Sequence, residues 1–97
     1  MNSRNLQPSE FDLLRDYLPS SEGKLHIHFS SVNARLPFTD YSADIMRLGS
    51  GLYRYTLGGH GIGTNQFQPM ALEDIIPRLL EDNKRFNRGG SLTLEWV

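Results

Sequence analysis

Apolar and polar residues alternate along short stretches of this chain, and this period of two restricts its fold more than any other feature. In residues 24–30, Leu25, Ile27 and Phe29 alternate with polar residues. Successive side chains of a strand point to opposite faces, so the pattern predicts a half-buried β-strand. Residues 91–97 alternate in the same way and predict a final strand.

A short glycine-rich segment, Gly49 to Gly51, separates two further strand-like runs, residues 43–48 and 52–57. Glycine-containing connections of this length are typical of β-hairpins, so the two runs are predicted to pair. Residues 31–41 also alternate in part, but Pro37 restricts them to an edge strand or an extended loop.

Two amphipathic segments predict helices. The first begins at Ser9, which has capping-box spacing to Asp12, and it ends before Pro19. The second covers residues 70–86, and Pro77 either kinks it or lies in its first turn. Four acidic residues are expected to form a solvated face on this helix: Glu73, Asp74, Glu81 and Asp82.

The order of these elements is α-β-(β)-β-β-α-β in a chain of 97 residues, which is a typical length for a single domain covering residues 1–97. Amphipathic helices and half-buried strands predict an α+β fold of two layers. We expect an antiparallel-rich sheet of three to five strands, with both helices on one face. The other face would then contact solvent or a partner.

Composition excludes several classes of site. The chain has no cysteine, which excludes disulfides, thiolate zinc sites and a cysteine nucleophile. Its formal net charge of −1 gives no overall field that would hold nucleic acid or an anionic membrane. No apolar run approaches the roughly 20 residues of a membrane span, and no signal-peptide pattern is present. We therefore expect a soluble cytoplasmic protein without a cofactor.

The segment "GGHGIGTNQ", residues 58–66, raises the question of function. Gly58 and Gly63 have P-loop spacing, but Thr64 stands where the phosphate-binding lysine would be required. Glycines also permit close approach to a partner, and connections longer than about 4–6 residues are often functional. A recognition loop and a simple connection both remain open. The candidate contacts in this loop are His60, Ile62, Asn65 and Gln66.

The histidines suggest an alternative function. His26 and His28 lie on the same predicted strand face, roughly 7 Å apart by strand rise. They could share a metal ion with His60 as a third ligand and Asp40 or Asp44 as a carboxylate. This is the alternative of a metal-dependent or histidine-based enzyme. Two surface histidines beside Lys24 and Ser30 are the simpler interpretation, because this spacing is common by chance on a solvated strand face, and no spacing defines a nucleophile. The prediction therefore names no catalytic residue and no metal.

A second alternative is a small nucleic-acid-binding module that uses Arg35, Arg47 and Arg54. The predicted hairpin would bring Arg47 and Arg54 near one another. However, Tyr53 and Tyr55 alternate with Arg54 and would face away from it, so a combined basic and stacking surface is not favoured.

The leading hypothesis is a small non-enzymatic protein-binding module that acts by steric occlusion of a partner protein. By size and character the chain is similar to inhibitor and immunity-type proteins, a class that includes phage-encoded inhibitors of bacterial defence systems such as anti-CRISPR proteins. A homodimer is compatible with every hypothesis if residues 91–97 form an edge strand. The expected partner contacts are His60, Ile62, Asn65, Gln66, Arg47, Tyr53 and Arg54.

Overall fold

A computed structural model of the chain describes residues 2–18, 23–29, 41–59 and 62–96. These ranges form a small compact α+β domain with seven strands and two helices. The helices are a 3₁₀ helix, Pro8–Tyr17, and an α-helix, α1, Leu72–Asn87. The strands are β1 Asn2–Leu6, β2 Lys24–Phe29, β3 Tyr41–Gly49, β4 Leu52–Gly59, β5 Gly63–Gln66, β6 Met70–Ala71 and β7 Leu92–Trp96.

The strands form one antiparallel sheet in the order β1-β7-β2-β3-β4-β5, and β6 also pairs with β4. The hairpin predicted around residues 49–51 is present between β3 and β4. The expected number of three to five strands is too low. The additional strands are β1, β5 and β6, which are short or mostly polar and carry no alternation that sequence analysis could detect.

The final strand is not an edge strand. β7 lies between β1 and β2 and pairs with both, so the prediction that residues 91–97 form a free edge for a homodimer is wrong. The reason is that the first residues of the chain occupy that edge. Asn2 pairs with Trp96, and Leu6 pairs with Leu92 and is completely buried.

The first helix differs from its prediction in type and in its cap. It is a 3₁₀ helix, and the capping residue is Gln7, not Ser9. Glu10 is the acidic member of the capping box, and it accepts a 3.1 Å hydrogen bond from the backbone N–H of Gln7. Pro8 is suited to the first helical position because its φ angle is already fixed near the helical value. Arg4 of β1 also binds Glu10, at 3.2 Å, which joins the strand to the helix.

The second helix is present and close to its predicted bounds. It begins at Leu72, because residues 70–71 pair with β4, so Pro77 lies inside the helix and not in its first turn. Arg88 ends it in a left-handed conformation with φ of 54°. None of the helices in the described residues is long and apolar enough to cross a membrane.

The core is formed by the apolar residues that alternate along the central strands. The sheet contributes ten buried residues to it: Leu6, Leu25, Ile27, Phe29, Ala43, Ile45, Tyr55, Leu57, Leu92 and Leu94. Leu14 of the 3₁₀ helix and Ile75 and Leu79 of α1 belong to the same buried cluster. We call this side of the sheet the inner face. The outer face carries the alternate residues, which are half-buried or exposed, among them His26, Asp44, Met46, Arg54 and Glu95.

Candidate functional site on the outer face of the sheet

Two rows of side chains cross the outer face because the strands pair in register. The first row runs across β7, β2, β3 and β4 as Glu95, His26, Asp44 and Thr56. The second row runs across β2, β3 and β4 as Lys24, Met46 and Arg54. The first row is polar and contains three titratable side chains, and the second places the apolar side chain of Met46 between two cations.

Three residues of the first row and His28, which lies two residues from His26 on the same face, form a group that we call the histidine cluster: His26, His28, Asp44 and Glu95. Nδ1 of His26 lies 2.6 Å from Oδ1 of Asp44, and Nε2 of His28 lies 2.9 Å from Oε1 of Glu95. The imidazole rings meet edge to face with centroids 4.5 Å apart. The four side chains are between 27% and 41% exposed, so solvent reaches the cluster.

Each imidazole of the cluster therefore has its own carboxylate. A carboxylate bound to one ring nitrogen fixes the orientation and the tautomer of the ring, and it leaves the other nitrogen for another partner. Lys24 contacts the cluster from outside, with Nζ 4.0 Å from Oδ1 of Asp44. One ligand atom from each of His26, His28 and Glu95 lies within 4.8 Å of the other two.

Sequence analysis identified part of this cluster. His26 and His28 share a strand face, as their spacing of two predicts, and Asp44 was one of the two candidate carboxylates. Glu95 was missed because β7 is far from β2 in the chain, and only the strand order makes Glu95 the direct neighbour of His26. The other residues named for a metal site, His60 and Asp40, lie outside the described residues.

The second row contributes to a group of exposed hydrophobic residues that we call the apolar patch, formed by Met46, Leu48 and Leu52. Their exposed fractions are 43%, 41% and 40%. They lie at the end of the hairpin where β3 turns into β4. Lys24 and Arg54 are the register neighbours of Met46 on its two sides.

The structure brings together two of the predicted partner contacts. When the side-chain amide of Gln66 is oriented with its oxygen towards Arg54, Nε and Nη1 of Arg54 each donate a hydrogen bond of 3.1 Å to that oxygen. Gln66 lies on β5, whose four residues are all exposed. Asn65 is its neighbour and donates to the backbone oxygen of Ile62 at 3.0 Å. Arg54 and Gln66 thus form a polar border beside Met46, whereas Asn65 pairs with Leu57 farther along β4.

Arg47, another of the predicted contacts, does not join this surface. Arg47 pairs with Tyr53, whereas Arg54 pairs with Met46, so the two arginines lie on opposite faces of the sheet. Ile62 and Tyr53 are partly buried against the core. His60, and Arg35 of the nucleic-acid hypothesis, lie outside the described residues.

A second polar group lies on the inner face, between the sheet and α1. Tyr55 donates a 2.8 Å hydrogen bond to Oδ2 of Asp82, which also accepts from Nε of Arg78 at 3.2 Å. Burial, and then the negative charge of Asp82, raises the pKa of Tyr55 above its ordinary value. Asp82 is 1% exposed, so the expectation that it belongs to a solvated acidic face is wrong. This group joins β4 to α1.

Comparisons with protein-family models, with curated proteins and with solved structures give no significant match to this chain.

Proposed function

We propose that the protein is a small non-enzymatic binding module that covers a surface of a partner protein with the hairpin end of its outer face. The observation that carries the proposal is the apolar patch, in which Met46, Leu48 and Leu52 are each at least 40% exposed. Single exposed apolar residues are common on monomeric proteins, but neighbouring ones with a polar border are typical of interaction sites.

The arrangement of the helices supports this surface. We infer that both helices cover the inner face, because Leu14, Ile75 and Leu79 share one buried cluster with the inward residues of the sheet. The outer face is then the side of the sheet on which a partner can bind. A rigid sheet positions its side chains before binding, which lowers the entropic cost of association.

The chemistry of the patch defines the partner. Protein interfaces combine an apolar centre with a polar rim, and methionine adapts its shape to irregular partner surfaces. Lys24 and Arg54 border Met46 on both sides. The partner surface should therefore present an apolar side chain surrounded by carboxylates, since complementary charge speeds association and rejects wrong partners.

The mechanism would be steric occlusion in a 1:1 complex in the cytoplasm, as for an inhibitor or immunity-type protein, including the phage-encoded inhibitors of bacterial defence systems. A standard interface buries about 800 Å² on each partner, which is more than three side chains provide. The adjoining segment, with His60, Ile62, Asn65 and Gln66, would supply further contacts. His60 and Ile62 follow β4 along the chain, Asn65 and Gln66 lie on β5, and Gln66 binds Arg54.

The experiment is affinity capture with the tagged chain, followed by reconstitution with the purified partner that it identifies. Two variants carry the test, Met46→Ser and Arg54→Glu. The matched control is Leu13→Ser, which removes an exposed hydrophobic residue from the 3₁₀ helix. Each test variant should weaken the reconstituted 1:1 complex by about tenfold or more, as central interface contacts do, while the control binds like the wild type.

Equal binding by the wild type and both test variants would refute the proposed surface. Capture of nucleic acid, lost after nuclease treatment and strongly weakened by salt, would instead support the nucleic-acid alternative.

A further inference from the structure

We propose that His26, His28 and Glu95 form a binding site for a divalent transition-metal ion such as Zn²⁺, with Asp44 as the residue that orients His26. The site lies on β2 and β7, whereas the proposed protein-binding surface lies at the hairpin end of β3 and β4. The two proposals therefore rest on different residues and can fail independently.

The first support is the spacing of the donor atoms. One nitrogen of each histidine and one oxygen of Glu95 all lie within 4.8 Å of one another. Zinc binds nitrogen and oxygen at about 2.0–2.2 Å, which places tetrahedral ligands roughly 3.3–3.5 Å apart. Nε2 of His28 and Oε1 of Glu95 are already 2.9 Å apart. A metal ion could take the place of this direct contact after a small outward movement of both side chains.

The second support is the partner of His26. Histidines that bind metals almost always donate their other ring N–H to a carboxylate or carbonyl group, which fixes the ring and makes the ligand nitrogen more basic. Asp44 holds the ring of His26 in this way, because its carboxylate oxygen Oδ1 lies 2.6 Å from Nδ1 of His26. Because Asp44 occupies Nδ1, Nε2 of His26 is the nitrogen that this arrangement leaves for a metal.

The third support is the donor chemistry. Two imidazoles and a carboxylate suit zinc and its transition-metal neighbours, whereas magnesium and calcium prefer oxygen ligands alone. The carboxylates of Asp44 and Glu95 provide the negative charge that compensates a dication. Lys24 offsets part of it, but its ammonium group is 4.0 Å from Asp44 and 54% exposed, so solvent weakens its effect.

The strands hold the donors in place without any loop. His26 and Glu95 are register partners across β2 and β7, and His28 follows His26 on the same face. Ile27 and Leu94, which precede or follow these ligands along β2 and β7, are completely buried on the inner face and hold the two strands in place. The ligands are only half-exposed, so an ion can enter from solvent and keep water as a fourth ligand.

The experiment is titration of the metal-free full-length chain with Zn²⁺ against a chromophoric chelator, together with absorption spectroscopy of the Co²⁺ form. The variants are His28→Ala, Glu95→Gln and Asp44→Asn. The matched control is Glu81→Gln, which removes the same charge at an exposed position of α1. Circular dichroism of each variant establishes that it is folded.

We expect the wild type and Glu81→Gln to bind one Zn²⁺ with the same affinity and to give the intense visible bands of four-coordinate Co²⁺. His28→Ala and Glu95→Gln should each bind at least tenfold more weakly and lose those bands. Asp44→Asn should weaken binding by about 10–100-fold, the usual effect of losing a carboxylate that orients a ligand. The proposal is overturned if the wild type takes up no zinc, or if His28→Ala and Glu95→Gln bind it as tightly as the wild type.

Discussion

Replacing Tyr55 with phenylalanine removes a single hydroxyl from a buried contact between the sheet and α1. That hydroxyl donates to Oδ2 of Asp82 at 2.8 Å, and both residues are at most 1% exposed. Hydrogen bonds to charged groups contribute about 1.5–3 kcal/mol, so the variant should lose about 2 kcal/mol of stability near neutral pH. For a domain of this size, the melting temperature should fall by roughly 8–16 °C.

The same substitution should change how stability depends on pH. Burial raises the pKa of Tyr55 above its ordinary value near 10, so the folded protein keeps a proton that the unfolded chain releases. This stabilisation is complete below about pH 10 and is lost as the pH rises from there towards the raised pKa of the folded state. Above about pH 10 the advantage of the wild type over Tyr55→Phe should shrink by about 1.4 kcal/mol per pH unit.

The assay is urea-induced unfolding of both proteins at several pH values between about 7 and 11, followed by circular dichroism. Tyr53→Phe is the matched control, because Tyr53 is a half-buried tyrosine on the same strand and its hydroxyl lies outside this contact. The control should stay within about 0.5 kcal/mol of the wild type. The reasoning fails if Tyr55→Phe is as stable as the wild type, or if their stabilities fall in parallel above about pH 10.

Two further substitutions test the core and the hairpin by the same unfolding measurement. Leu94→Ala empties a completely buried position on β7 and should cost about 2–5 kcal/mol, whereas Leu13→Ala, on an exposed position, should cost little; equal costs would contradict the assigned core. Gly51→Ala places a side chain at φ of 73°, where no neighbouring atom would touch it, and should cost about 1–2 kcal/mol in backbone strain alone. Gly58→Ala is the control and should leave the stability nearly unchanged, because its added Cβ would make ordinary contacts at 3.6 Å. If Gly51→Ala also leaves the stability unchanged, the left-handed turn at Gly51 is refuted.

The strands that sequence analysis predicted well are those whose pattern the core enforces. β2 alternates buried and half-buried residues along Leu25, Ile27 and Phe29, as its sequence predicts. Tyr55 and Leu57 share the buried side of β4 for the same reason. Alternation can be recognised locally, because the apolar residues of a strand lie on the face that packs against the core.

The strands that were not predicted, β1, β5 and β6, depend on pairing with a neighbouring strand and not on an alternating pattern. β1 has the sequence NSRNL, in which Leu6 is buried and four residues are polar. β5 has the sequence GTNQ, and every residue in it is exposed. Such segments become strands because a neighbouring strand offers them hydrogen bonds, and that neighbour is a tertiary feature. No window of the sequence around these segments contains this information.

The candidate sites likewise contain features that a local sequence pattern predicts and features that depend on tertiary structure. His26 and His28 could be placed on one face from their spacing, but their acidic neighbour Glu95 follows from the strand order. Asp82 was misjudged because acidic helix residues are usually solvated. Its burial depends on Tyr55, which meets it from the sheet with a hydroxyl group, and the sequence does not show that these two residues touch.

The position of β7 between β1 and β2 has a consequence for the order in which the fold can assemble. β1 is synthesised first of the seven strands, yet the strand that it pairs with in the described sheet, β7, is synthesised last. Until β7 has emerged from the ribosome, neither β1 nor the adjoining edge of β2 has this partner. Contacts this distant along the chain close slowly, and unpaired strand edges are where nascent chains aggregate. We therefore expect the sheet to be completed only after residues 92–96 have emerged.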